Sequence, residues 1–124
     1  HRSRAESRGM TVLRQSEKDL QSALVQRLAL DLEGPVAILQ FGKPGGHRQI
    51  AGALPPGCTD LLVAGRGLPR VWIELKVGSN QPTDDQLEFM AQMRYVGDEA
   101  QTCWSEDEVV ALLRRVGYKF RSER

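Results

Sequence analysis

The residues of this sequence with the clearest chemical potential are Asp60, Glu74 and Lys76. Glu74 and Lys76 stand two apart in the alternating run Val-Trp-Ile-Glu-Leu-Lys-Val at 71–77, so a strand would turn both side chains to one face. Asp60 opens a neighbouring apolar run and can bring a second carboxylate to the same end. Two carboxylates with open coordination positions suit Mg²⁺. The pattern predicts metal-assisted hydrolysis of a phosphate ester, with Lys76 orienting the attacking water or stabilising the transition state.

The alternative interpretation of the Glu-x-Lys pair is a solvated strand face, which most such short matches represent. Two further features favour a site. Asp60 follows a Gly-Cys-Thr turn and begins an apolar strand, where a carboxylate is otherwise disfavoured. The turn-like stretch at 65–70 predicts a hairpin between the two apolar runs, in which Asp60 and Glu74 can converge.

Two more polar residues each allow two interpretations. Glu17 lies on the same helical stripe as three leucines, at positions 20, 24 and 28, so it can point inward to the sheet. It can equally serve only the helix dipole, as an acid in the first turn. Gln86 can join the site, or it can do no more than complete the capping box Thr-Asp-Asp-Gln that opens a helix at 83.

A glycine- and proline-rich stretch at 42–57 predicts a loop that carries Lys43, His47 and Arg48. These three residues could contact the phosphates of a nucleic acid, together with the basic residues at the C-terminus. They could also form an ordinary solvated loop. Trp72 and Trp104 are expected to pack in or beside the core rather than to stack on bases.

The elements that must position these residues follow from periodicity and from capping signals. A helix is expected to begin after Ser16, and later helices after Thr83 and Ser105, each of which is a good N-cap. Apolar or alternating runs predict strands at 36–41, 60–64, 71–77 and 100–104. The resulting order is αβββαβα, which predicts an α/β fold with a mixed β-sheet flanked by helices.

Length and composition bound the architecture. The 124 residues, 40% hydrophobic and 27% charged, suit a single domain. No apolar run approaches the roughly 18–20 residues of a membrane span, so no membrane partner is expected. Residues 1–9 are predicted to be a tag or disordered chain, residues 10–117 the domain, and residues 118–124 a basic C-terminal tail.

Charge and cysteine content add little about partners. The formal net charge is +1, but residues 10–116 hold 11 Lys and Arg against 14 Asp and Glu, so charge alone does not indicate nucleic acid. Cys58 and Cys103 lie far apart and outside any metal-binding spacing, which predicts free thiols in an intracellular, cytoplasmic protein. A Walker loop, a GxGxxG motif, a Ser/His/Asp order and zinc-ligand spacing are all absent from the sequence.

Three segments together resemble a known family. Gly-Cys-Thr-Asp-Leu-Leu at 57–62, Trp-Ile-Glu-Leu-Lys at 72–76 and Thr-Asp-Asp-Gln-Leu at 83–87 are similar to the VRR-NUC family of the PD-(D/E)xK nuclease superfamily. Small, stand-alone, virus-type members are the closest in pattern, and the resemblance runs from about residue 16 to residue 116. It implies a restriction-endonuclease-like core and hydrolysis of DNA with Mg²⁺ or Mn²⁺. It also implies a homodimer acting on branched DNA in the manner of Holliday junction resolvases, in the host cytoplasm if the source is viral.

The resemblance also assigns roles by position. Asp60 and Glu74 would bind the metal with the backbone carbonyl of Leu75, and Lys76 would be the catalytic lysine. Glu17 matches the acid of the family's first helix, and Gln86 matches the glutamine of the helix after the Glu-x-Lys strand. Where the family often has proline before its aspartate this chain has threonine, which bears on the geometry of the turn and not on the ligands.

Three alternatives to a junction resolvase remain. A nicking, flap or linear-duplex nuclease would use the same site on another substrate. A DNA-binding module could keep the fold without turnover, although binding alone does not require two carboxylates near a phosphate. An unrelated mixed α/β subunit that binds a protein partner would be distinguished by its failure to bind Mn²⁺.

Overall fold

The computed structural model describes residues 16–41 and 54–123. Within these ranges three helices flank a four-stranded mixed sheet, which confirms the predicted α/β class. In chain order the elements are α1 (Glu17–Asp31), β1 (Val36–Gln40), β2 (Leu61–Gly65), β3 (Val71–Leu75), α2 (Asp84–Tyr95), β4 (Glu99–Cys103) and α3 (Glu106–Arg115), followed by a 3₁₀ turn at Arg121–Glu123. Residues 1–9, expected to be a tag or disordered, lie outside the described ranges.

The strands lie in the order β1-β2-β3-β4. β1 and β2 are antiparallel, and so are β2 and β3, which confirms the predicted hairpin between the two apolar runs. β3 and β4 are parallel, because α2 crosses between them and returns the chain in the same direction. β2 begins one residue after Asp60 and β3 ends one residue before Lys76, so both strands are shorter at this end than the sequence predicted.

Alternation along β3 divides its side chains between two faces of the sheet. Val71, Ile73 and Leu75 are buried in the main core, against the leucine stripe of α1 and the apolar face of α3. The opposite face carries Trp72, which packs with Phe89 and other residues of α2. Each fully buried aliphatic side chain contributes about 1.5–3 kcal/mol, so the main core holds β3 firmly in place.

The helix starts are fixed by the predicted caps. Ser16 Oγ accepts a hydrogen bond from Asp19 N at 3.0 Å, and Ser105 Oγ accepts one from Glu108 N at 3.1 Å. At the start of α3, the carboxylate of Glu108 accepts a hydrogen bond from Trp104 N, the residue before the cap, at 3.0 Å. A cap of this kind is worth about 1 kcal/mol, and it defines where each helix begins.

The C-terminal segment is not the tail that its basic residues suggested. Tyr118 and Phe120 are each only 2% exposed, and Phe120 forms a β-bridge with Leu32 at the end of α1. The hydroxyl of Tyr118 donates to the carbonyl of Pro69 at 2.6 Å. The prediction for residues 118–124 was therefore wrong for residues 118–123, because burial of two aromatic rings outweighs the basic composition around them.

None of the helices in the described ranges combines the length and the apolar character that crossing a membrane requires.

Candidate active site

The candidate site lies where β2 and β3 part. Their ladder ends at the pair Leu61–Ile73, and Asp60 stands one residue beyond it. Asp60 Oδ2 accepts a hydrogen bond from Leu75 N at 2.7 Å, in the position that a strand carbonyl would otherwise take. Asp60 is only 5% exposed, so this charge-assisted bond fixes the carboxylate against the end of β3.

Glu74 and Lys76 extend from the same face of β3, as the alternation predicted, but neither is solvated. Glu74 is 1% exposed and Lys76 is 8% exposed. Lys76 Nζ lies 3.4 Å from Glu74 Oε2. The alternative of a solvated strand face is therefore wrong for this pair, because the two charged groups are buried together beside Asp60.

Gln86 performs both of the roles that the sequence left open. Its Oε1 accepts a hydrogen bond from Thr83 N at 2.8 Å, which completes the capping box of α2. Its Nε2 donates to Glu74 Oε2 at 2.9 Å. The first turn of α2 thus carries a side chain that both starts the helix and orients a buried carboxylate on β3.

Gly57 brings the segment before Asp60 against the same helical turn. Its φ of +77° lies in the left-handed region that favours glycine. A Cβ built on Gly57 would overlap the carbonyl of Asp85 and lie 2.7 Å from Gln86 N. Only glycine allows this close approach, so the Asp60 segment and the Gln86 turn pack directly, backbone to backbone.

The charges of the candidate site affect the pKa of Cys58. Burial raises the pKa of this thiol above its usual value, and the negative charges of Glu74 and Asp60 raise it further. Both cysteines are free thiols, as the sequence predicted. Cys58 therefore lies in a partly desolvated region beside the carboxylates of Glu74 and Asp60.

Glu17 lies at the same end of the sheet. The side chain of Gln21, one turn along α1, donates from Nε2 to Gln40 Oε1 at 3.0 Å. Gln40 ends β1 and precedes Phe41, whose N–H donates to the carbonyl of Asp60 at 3.0 Å. The first turns of α1 therefore border the Asp60 end of the strands, with Glu17 half-buried there.

The donor groups fit a hard divalent cation. In an extended strand the N–H and C=O of one residue point to the same side, so the carbonyl of Leu75 faces the Asp60 side of β3. Across residues 16–41 and 54–123, His, Cys, Asp and Glu side chains nowhere form a group of three or more able to hold a metal ion. Two carboxylates and a carbonyl nevertheless suit Mg²⁺, which commonly keeps several waters and takes its remaining ligands from phosphate.

Sequence reasoning missed three residues that shape this region. The sequence marked Gly57 as part of a turn, but not its contact with α2. Phe41 ends the first apolar run, and nothing local indicates that it borders Asp60. Trp104 donates from Nε1 to the carbonyl of Asn80 at 2.9 Å, which fastens the connection between Lys76 and α2.

The three basic residues of the predicted loop, Lys43, His47 and Arg48, lie outside the described residues. The flanking described positions are Phe41 and Leu54. Phe41, the last described residue before the three basic residues, is joined to Asp60 by its backbone hydrogen bond.

No protein-family model matches the chain, and no curated protein matches it. Any assignment of function accordingly depends on the sequence motifs and on the residues and geometry of the site.

Proposed function

We propose that this protein is a metal-dependent nuclease that hydrolyses phosphodiester bonds in DNA, built on a restriction-endonuclease-like core of the PD-(D/E)xK type. The observation that carries the proposal is the burial of Asp60, Glu74 and Lys76 together at the point where β2 and β3 part. The mixed sheet and the helix crossing from β3 to β4 are consistent with such a core.

A purely structural role accounts poorly for this cluster. Removing a carboxylate or an ammonium from water costs several kcal/mol per ion, and well-packed apolar residues often replace a buried ion pair without loss of stability. Two carboxylates and one lysine at the end of strands therefore carry a cost in stability. Buried ionisable groups of this kind concentrate at functional sites.

Each residue has a chemical role in the proposal. Asp60 and Glu74 would hold Mg²⁺ or Mn²⁺, with the carbonyl of Leu75 as a further ligand, and Gln86 keeps Glu74 oriented by its hydrogen bond. The bound ion would supply charge neutralisation at the phosphate and acidify a water molecule. Lys76 would orient the attacking water or donate to the phosphate oxygens as negative charge develops.

The finer part of the proposal concerns the substrate. The three motifs that resemble the VRR-NUC family favour structure-selective cleavage of branched DNA by a homodimer, as in a Holliday junction resolvase. Matched four-way-junction, flap and linear-duplex DNAs, each with Mg²⁺ and with Mn²⁺, test this preference. Cutting of flaps or linear duplex alone would support the proposed active site but reject the four-way junction as its substrate.

The active site itself is tested with Asp60→Asn and Glu74→Gln, which remove the charge and keep the shape. Each should lower metal-dependent cleavage at least about 100-fold, because each removes a negative charge that would hold the divalent cation. Glu88→Gln is the matched control, since Glu88 is an exposed acid of α2 whose side chain accepts from Gln92. Cleavage that persists in Glu74→Gln, with the fold intact by circular dichroism, would overturn the proposal.

Two physical measurements complete the test. Calorimetry should detect Mn²⁺ binding to the wild type and its loss in Glu74→Gln. A wild type that binds Mn²⁺ but cuts no DNA would indicate a binding module. Light scattering at working concentrations should give a dimer, and a monomer would remove the model of two paired active sites.

A further inference from the structure

Phe41 lies beside Asp60 at the end of the β1–β2 ladder. The N–H of Phe41 donates to the carbonyl of Asp60, which extends the β1–β2 ladder by one pair beyond Gln40–Leu61. Side chains of directly opposed residues in such a ladder lie on the same face, about 4.5–5.5 Å apart at Cβ. α2 packs over β3 and β4, whereas the backbone of Phe41 follows β1, on the other side of β2.

The ring of Phe41 is held in place by the ring of Trp72. The two rings stack, with centroids 5.9 Å apart and planes inclined by 17°. Trp72 is itself fixed, because its Nε1 donates to Asp98 Oδ2 at 2.8 Å and the ring of Phe89 meets it edge-on at 5.2 Å. Phe41 is half-buried, so a firmly supported aromatic ring is left partly accessible next to two buried carboxylates.

We propose that Phe41 stacks on a nucleobase of the substrate strand, next to the phosphate held at Asp60 and Glu74. This inference rests on the proposed function. A phenyl ring contributes nothing to a magnesium site, but it is the type of surface on which an unstacked base binds. A base inside an intact duplex already stacks on both faces, so the contact selects a strand that is unpaired beside the scissile phosphate.

The position of the ring also indicates which part of a nucleic acid it meets. Each nucleotide joins a charged phosphate to an aromatic base, and the site combines two buried carboxylates with an aromatic ring. Trp72 supports that ring, and its own ring already makes a stacked contact with Phe41 and an edge contact with Phe89. Phe41, and not Trp72, is therefore the stacking residue.

The test couples one protein substitution to one change in the DNA. Binding of a short single-stranded oligonucleotide is measured by fluorescence anisotropy with divalent metal withheld, so that no cleavage intervenes. Single abasic nucleotides are scanned along the strand. Wild-type protein should lose about 10-fold in affinity at one or two positions, which is the range expected for one base–aromatic stack.

Phe41→Leu keeps an apolar side chain but removes the ring. In this variant, abasic nucleotides at the same positions should cause no further loss of affinity. Phe41→Leu should itself bind the intact oligonucleotide about 10-fold more weakly than wild type. Tyr95→Leu is the matched control, because it also removes an aromatic ring, but one that is 92% exposed at the end of α2. Tyr95→Leu should retain the wild-type sensitivity to abasic positions.

An equal abasic penalty in wild type and Phe41→Leu would overturn the inference, as would a wild type that is insensitive at every position. The outcome is separable from the proposed function, since cleavage is assayed independently with Mg²⁺ and Mn²⁺. Phe41-dependent stacking in a protein that cuts no DNA would refute the nuclease activity and support the base-stacking role of Phe41. Cleavage without coupling between Phe41 and a base would support the nuclease activity and refute the base-stacking role.

Discussion

Gln86 Nε2 lies 2.9 Å from Glu74 Oε2, while the Oε1 of the same amide accepts from Thr83 N at 2.8 Å. One side chain therefore joins the start of α2 to a buried carboxylate on β3. Because Glu74 Oε2 also lies 3.4 Å from Lys76 Nζ, the amide and the ammonium together fix the direction in which this carboxylate points.

Gln86→Ala should lower the affinity for Mn²⁺ by about 10–100-fold, as expected when the hydrogen-bonding support of a metal ligand is removed. Thr83→Ala is the matched control, because it removes the other half of the capping box without touching Glu74. It should cost about 1 kcal/mol of stability and leave the affinity for Mn²⁺ unchanged. Titration calorimetry of both variants decides between the two roles, and equal losses of affinity would mean that Gln86 acts only through the helix cap.

Lys76→Met should separate turnover from metal binding. Methionine fills the buried position with an apolar chain of similar length and leaves the side chains of Asp60 and Glu74 in place. Loss of the ammonium should lower the rate of cleavage by about 100–1,000-fold, the range for removing one group that stabilises transition-state charge. Calorimetry should still detect Mn²⁺. A variant that cuts at the wild-type rate would exclude Lys76 from the reaction.

Gly57→Ala should destabilise the fold much more than Gly67→Ala. The two glycines have nearly equal φ values of +77° and +75°, so both substitutions carry the same left-handed strain of about 1–2 kcal/mol. Only the Cβ at Gly57 meets other atoms, namely the backbone of Asp85 and Gln86, whereas the Cβ at Gly67 meets nothing within 4 Å. Urea denaturation measures both. Similar losses of stability would show that the backbone of α2 can move away from the new Cβ without a further loss of folding free energy.

Arg48→Gln and Lys43→Gln test the proposed phosphate contacts of the segment between Phe41 and Leu54. Removing one phosphate-binding charge should reduce the slope of log affinity against log salt by about 0.7 on single-stranded DNA and about 0.9 on duplex. Arg66→Gln is the control, because Arg66 is an exposed arginine in the turn between β2 and β3. If all three variants change the slope equally, the effect is one of overall charge, and the path of the DNA lies elsewhere.

The two thiols should differ sharply in reactivity. Burial raises the pKa of Cys103 to about 12, so at pH 8 its reactive thiolate is scarcely populated, and its side chain is inaccessible. Cys58 is half-buried and should be the first to react with iodoacetamide. Cys58→Ser should leave the native protein unlabelled until denaturant is added. Rapid labelling of Cys103 in the native state would contradict its place in the core.

Much of the site can be predicted from local patterns. Alternation in the run at 71–77 indicated that Trp72, Glu74 and Lys76 share a face, and the structure has Trp72 packing on α2 while Gln86 of α2 bonds Glu74. Such patterns need only a few consecutive residues, because the strand period itself sets the direction of each side chain. Prediction from composition failed at residues 118–123, where basic residues surround two aromatic residues that belong to the core.

By itself the sequence determined the mixed α/β class, the starts of the helices and the pairing of two carboxylates with one lysine. Only the tertiary structure decided that these charges are buried, that Gln86 reaches Glu74 across 12 positions of sequence, and that Phe41 borders Asp60. The physical reason is that propensity and periodicity act over one or two turns of chain. Contacts between distant residues depend instead on strand register and on the packing of each helix against the sheet.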